Sequence, residues 1–97
     1  MAVYLIAEVM VYDSEVYEKY KVLAETAIQN AGGKYLARGG TVESKEGMTP
    51  DRIVILEFPD WEAARAFYHG PDYQKAIPIR QAAAESRVFF VEGVPGV

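Results

Sequence analysis

The sequence predicts an α+β fold of strand–helix–strand–strand–helix–strand order (βαββαβ), with one four-stranded antiparallel sheet and its helices on a single face. Three observations lead there. Four segments dense in β-branched and aromatic residues read as strands. Two or more segments carry apolar residues at the three- and four-residue spacing of a helix. Gly or Pro stands at the joints between them. A chain of 97 residues matches the size of one domain, so one core over 1–97 is expected. Its 51% hydrophobic content supplies enough apolar surface to offset the ordering entropy of folding.

The first strand is expected over 3–12, where Val3, Leu5, Ala7, Val9 and Val11 alternate onto one face. The other face carries Tyr4, Ile6, Glu8, Met10 and Tyr12, so it too is largely apolar and needs a cover. Asp13 or Ser14 then caps a helix with Glu15 and Glu18 in its first turn, where the helix dipole favours negative charge. Its stripe is Val16, Tyr20, Leu23, Ala24, Ala27 and Ile28, and Gly32-Gly33 ends it. A second strand is expected over 34–42, weakened or bulged at Gly39-Gly40, where another group can approach closely. After a polar connection over 44–50, residues 52–58 form a third strand that closes a hairpin with the second.

Asp60 is the expected cap of the second helix, whose buried stripe is Trp61, Ala64, Phe67 and Tyr68 before Gly70-Pro71 stops it. Residues 72–86 read as helical but broken by Pro78, which suits the start of a helical segment better than an interior. The fourth strand is expected over 87–94, and 93–97 reads as a loose tail. No internal repeat or low-complexity tract divides the chain. Helices on one face leave Tyr4, Ile6 and Met10 open on the other, and self-association through the sheet is the economical way to bury them. A homodimer is therefore expected.

Composition removes several classes of chemistry. Without cysteine there can be no disulfide, thiolate nucleophile, iron–sulfur cluster or cysteine-based zinc site. A net charge of -4 with no basic cluster argues against nucleic acid as a partner. The first residues lack the basic start of a signal peptide, and Glu8 interrupts them too early for a spanning helix, so a cytoplasmic location without membrane attachment is expected. Arg38-Gly39-Gly40 lacks the spacing of a nucleotide-binding loop. The serines Ser14, Ser44 and Ser86 stand in no nucleophile-elbow context.

Charged residues inside apolar strands are the remaining signal, because a buried charge needs a partner. Glu8, Glu57, Arg38 and Arg52 qualify. One reading has Arg38, Arg52 or Arg80 bind an anionic or enolate-like oxygen, with Glu57 as acid or base and Tyr68 or Tyr73 as hydrogen-bond donor. The other is structural ion pairing. Period two sets Glu57 with Ile53 and Ile55 but Arg52 with Val54 and Phe58, so a shared face cannot be assumed. His69, the one histidine, stands at the end of the second helix, where a cation complements the dipole. It has no neighbouring ligand set for metal or haem, so neither metal nor cofactor is expected. Seven tyrosines exceed what a core alone asks for, and Tyr35, Tyr68 and Tyr73 lie where layered folds form pockets.

Gly32-Gly33 ahead of a strand, Arg38-Gly39-Gly40, Arg52 through Glu57-Phe58, then Tyr68, Pro71, Tyr73 and Arg80 together resemble the domain-of-unknown-function 1330 family over residues 3–93. The resemblance implies a ferredoxin-like domain of the dimeric α+β barrel superfamily, in which two sheets face each other with helices outside. It also implies a pocket lined by Arg38, Gly39, Glu57, Tyr68, Tyr73 and Arg80. That superfamily includes cofactor-independent monooxygenases, haem enzymes and small stress-responsive proteins, so it selects no chemistry. The expectation is a dimeric small-molecule protein, with Glu57 and Tyr68 in catalytic roles and Arg38, Gly39, Arg52, Tyr73 and Arg80 binding substrate. The alternatives are a non-catalytic interaction module, and a monooxygenase of the antibiotic-biosynthesis type.

Overall fold

The computed structural model describes residues 1–96; Val97, the end of the expected tail, lies outside the described residues. The elements run β1 (Val3–Val11), α1 (Ser14–Asn30), β2 (Lys34–Arg38), β3 (Arg52–Phe58), α2 (Trp61–His69), α3 (Pro71–Ala83) and β4 (Ala84–Glu92). The sheet order is β2-β3-β1-β4, and every neighbouring pair is antiparallel. This is the ferredoxin-like arrangement, with the second crossover built from two helices rather than one. Among the described residues, no helix is long and apolar enough to cross a membrane.

Local chemistry sets the helix starts. The Asp13 carboxylate accepts from the Val16 N–H at 3.1 Å, and that of Asp60 accepts from the Ala63 N–H at 2.8 Å, each satisfying a donor that the first helical turn leaves free. Alternation along β1 places Val3, Leu5, Ala7 and Val9 toward the helices, opposite Phe58, Leu56, Val54 and Arg52 of β3. On this face the core closes with Ala24, Ala27 and Ile28 of α1, Ala64 and Phe67 of α2, and Tyr73 and Ala76 of α3. Phe58 and Val3 are fully buried, each contributing about 1.5–3 kcal/mol of apolar transfer.

Several features differ from the sequence expectation. β1 ends at Val11 rather than at Tyr12, whose N–H turns to the Ala83 carbonyl at 2.8 Å. β2 ends at Arg38 rather than at residue 42, because Gly39 takes a positive φ of 66° that a pleated strand cannot continue. The bulge falls between Tyr35 and Ala37, not at the glycine pair. α3 is one helix from Pro71 to Ala83 with Pro78 inside it, so the expected break is absent. The exposed Pro78 ring leaves α3 without one backbone bond, while Tyr73, Ala76, Arg80 and Ala83 remain packed. β4 starts at Ala84, earlier than residue 87, because its register runs on to Val11, and it ends at Glu92 rather than at residue 94.

Among the described residues, the opposite face of the sheet carries no helix. Ile55, Ile6 and Phe89 form a row across β3, β1 and β4, flanked by Tyr4, Val91, Ile53 and Met10. Phe89 is 39% exposed, and Val91 and Met10 are each 44% exposed, in the middle of an apolar surface. One ion pair, Arg87 to Glu8 at 3.5 Å, also stands on this face.

Candidate functional site

Strand register and helix periodicity bring three arginines and several tyrosines to one place beneath the helices. Arg52 opens β3 opposite Val9, and Arg38 closes β2 opposite Val54, so both point from the helix-covered face. Arg80 follows Tyr73 by seven residues on α3, two helical turns, which sets both on the inner side. Tyr17 and Tyr20 come from the facing side of α1. Between these groups and a floor of Leu5, Ala7, Val54 and Leu56 lies a cavity of about 40 Å³.

Its electrostatics are one-sided. Arg80 is only 6% exposed, and its Nη1 donates to the Tyr73 hydroxyl at 2.7 Å. That hydroxyl shares a second bond of 2.7 Å with the Tyr20 hydroxyl. The Arg80 guanidinium carbon lies 6.0 Å from the centre of each of these two rings, and that of Arg52 lies 5.6 Å from the Tyr17 ring. The Nε atoms of both arginines are buried without a hydrogen-bond partner among the described residues. Each such orphan donor costs about 1–3 kcal/mol, and a guanidinium cannot escape by losing its proton.

Among the described residues, no acidic residue and no histidine lines the cavity. At its rim, Arg38 is held by Glu25 at 3.4 Å and Lys21 by Glu18 at 2.9 Å. Arg52 and Arg80 therefore stand as two cations without a carboxylate among the described residues. Burial raises the Tyr73 pKa above that of a free tyrosine, with Arg80 opposing, and burial together with Tyr73 raises that of Tyr20 further. Both hydroxyls are protonated at neutral pH. The site thus offers cationic and hydroxyl donors but no base: it can hold an anion, polarise it and stabilise charge on its oxygens.

Of the residues singled out from sequence, Arg38, Arg52, Tyr73 and Arg80 line this cavity together. Gly39 stands beside it, and a Cβ on Gly39 would overlap the Arg52 guanidinium, lying 2.8 Å from its central carbon. Tyr68 does not line the cavity; its ring packs on that of Tyr73 with centres 5.5 Å apart. Glu57 lies on the opposite face of the sheet, between Tyr4 and Lys34, so it cannot serve as acid or base beside these arginines within one chain. His69 is exposed at the end of α2 with its ring against Tyr68. Among the described residues, no group of three or more His, Cys, Asp or Glu could hold a metal ion. Ion pairing on the open face involves Glu8 and Arg87, not Arg52 or Arg80. The sequence pattern does not single out Tyr17 and assigns Tyr20 to the packed stripe of α1. The spacing Tyr17, Tyr20, Ala24, Ile28 is the signal that aims both rings at the sheet.

A family model described as Domain of unknown function (DUF1330) matches residues 2–94. The chain belongs to this family. Solved structures similar to the DUF1330 chain include a protein of unknown function from Rhodopseudomonas palustris, 21% identical, with a TM-score of 0.74 over 96% of this chain and 82% of that one. A dimeric ferredoxin-like protein of unknown function from Jannaschia sp. is 13% identical, with a TM-score of 0.74 over 96% and 100% of the two chains. SnoaB, a cofactor-independent oxygenase from Streptomyces nogalater, is 12% identical, with a TM-score of 0.70 over 99% and 96%. At such identities the likeness is one of fold. The search of curated proteins gave no match.

Proposed function

We propose that this DUF1330 chain works as a homodimer joined through its open sheet face, and that each subunit binds a small oxygenated organic molecule as its anion beneath the helices. The observation that carries the binding reading is the pair Arg52 and Arg80, two arginines that line one cavity and whose buried Nε–H donors are unpartnered among the described residues. An anion there would satisfy donors that the free protein leaves unmet. A ligand hydroxyl of enol or phenol type is made more acidic by the same two charges, so it is held as its anion without a protein base. The dimer reading is supported by the apolar row Ile55–Ile6–Phe89, and by the description of the Jannaschia relative as dimeric. We place the protein in the cytoplasm, with which the absence of cysteine agrees.

Titration calorimetry with a panel of small enols, phenols and carboxylic acids tests the binding reading. Saturable binding that is lost in Arg52→Gln and Arg80→Gln, both still folded, is the expected result; binding indifferent to both substitutions overturns it. Oxygen consumption with the bound enols, measured on the same samples, would extend the reading to turnover of the kind that SnoaB's description names.

A further inference from the structure

The anion-binding reading leaves the headgroup unspecified, and the geometry of Arg80 specifies it. The Arg80 nitrogen that donates to Tyr73 is Nη1, the one beside Cδ. The Nε–Nη2 edge is therefore left without a hydrogen bond among the described residues, and its Nε is buried. Two parallel N–H groups along one guanidinium edge match the two oxygens of a carboxylate. Arg52 reaches the same cavity with its own Nε–H unpartnered.

Space and surroundings narrow the ligand further. A cavity of about 40 Å³ holds a group of about three water-sized atoms, which suits a carboxylate better than a tetrahedral phosphate. Both arginines line this one small space. Tyr17, Tyr20, Tyr73 and Tyr35 present ring surfaces around it, and Val54 and Leu56 an apolar floor. Lys21 and Arg38 are engaged by their own glutamates at the rim, so the uncompensated charge lies at the inner end.

We infer that the site takes a carboxylic acid carried on a flat, unsaturated or aromatic body, seated carboxylate first on the Nε–Nη2 edge of Arg80 with Arg52 meeting the same group. The headgroup fills the cavity, and the body leaves it past the Tyr35 ring, on which Arg38 lies at the rim. This rests on the anion-binding reading above. Both Nε atoms are covered in the ligand-free chain, so binding turns the Arg80 edge toward the cavity before the headgroup meets it.

Calorimetry on the full chain, with benzoate, cinnamate, benzamide and inorganic phosphate as probes, tests it. Both aryl carboxylates should bind about tenfold or more tightly than the isosteric benzamide and than phosphate, since only they fill the guanidinium edge. Arg80→Lys, which keeps the charge and removes the edge, should lose about tenfold in benzoate affinity. Arg52→Lys gives the same readout should Arg80→Lys fail to fold. Equal binding of benzoate and benzamide overturns the carboxylate assignment. Phosphate binding more tightly than the aryl carboxylates, with loss in Arg80→Lys, overturns the headgroup and leaves the anion site standing. Binding by none of the anions overturns both.

Discussion

Gly39 and Arg52 are coupled through space rather than through a bond. The N–H of Gly39 donates to the Ile53 carbonyl at 2.9 Å, its φ is 66°, and the position a Cβ would take is filled by the Arg52 guanidinium. Gly39→Ala should therefore cost about 1–2 kcal/mol in backbone strain and also displace Arg52 from the cavity. Gly32→Ala, at φ 76° with open space around it, isolates the first effect from the second. Denaturant unfolding should register both substitutions, whereas ligand affinity should fall only in Gly39→Ala. The tyrosines at the other end give a pH dependence of definite sign. The pKa values of Tyr20 and Tyr73 are raised in the folded chain above 10.0, by burial first, so their contribution is complete below pH 10 and is lost as pH rises beyond it. Thermal unfolding midpoints should fall above about pH 10, and less steeply in Tyr20→Phe. Much of this site was legible in sequence, since Arg38, Arg52 and the glycine pair break an apolar pattern. Glu57 breaks it equally, and only the strand register assigns it to the other face. Tyr17 and Tyr20 were hidden because an aromatic on a helix stripe reads the same whether it fills a core or lines a cavity.

Elements with strong local signals match their expected extent most closely. β3, Asp13 and Asp60 follow from dense β-branched and aromatic composition and from short carboxylates just ahead of helical periodicity. The misses around α3 share a cause: tertiary contacts override local preference. Ala82, Ala83 and Ala84 favour helix, yet Ala84 pairs with Val11 in the sheet. Pro78 disfavours a helix interior, yet α3 continues through it because buried side chains on either side hold both halves against the core. Pro78→Ala should restore a backbone bond to α3 and raise stability by about 1–2 kcal/mol, after allowance for the more flexible unfolded chain. Denaturant midpoints measure this. A loss of stability instead would mean that α3 depends on the proline's fixed φ. Asp13→Ala should act in the opposite direction, costing about 1 kcal/mol through the lost cap on the Val16 N–H.

The whole molecule assigns different work to the two faces of one sheet. The covered face holds a cationic cavity in a chain of net charge -4, so low-dielectric walls concentrate a positive field inside a chain that is negative as a whole. The open face holds an apolar row with one ion pair and asks for a second sheet. Because side chains alternate across a strand, neighbouring residues serve opposite tasks: Val54 and Leu56 floor the cavity while Ile53 and Ile55 face outward. Assembly and binding should therefore be separable by substitutions one residue apart. Ile55→Glu places a charge at the centre of the outward row, beside Ile6, and should convert the proposed dimer to monomer by sedimentation velocity, because a buried unpaired carboxylate is among the costliest groups to leave in an apolar interface. The same variant should keep its calorimetric affinity for anions, since no cavity residue is altered, and Arg52→Gln should show the reverse pattern of a retained dimer and lost binding. A variant at Ile55 that stays dimeric would place the interface elsewhere, and one that loses binding along with assembly would show that the cavity under the helices needs the second sheet to hold its shape.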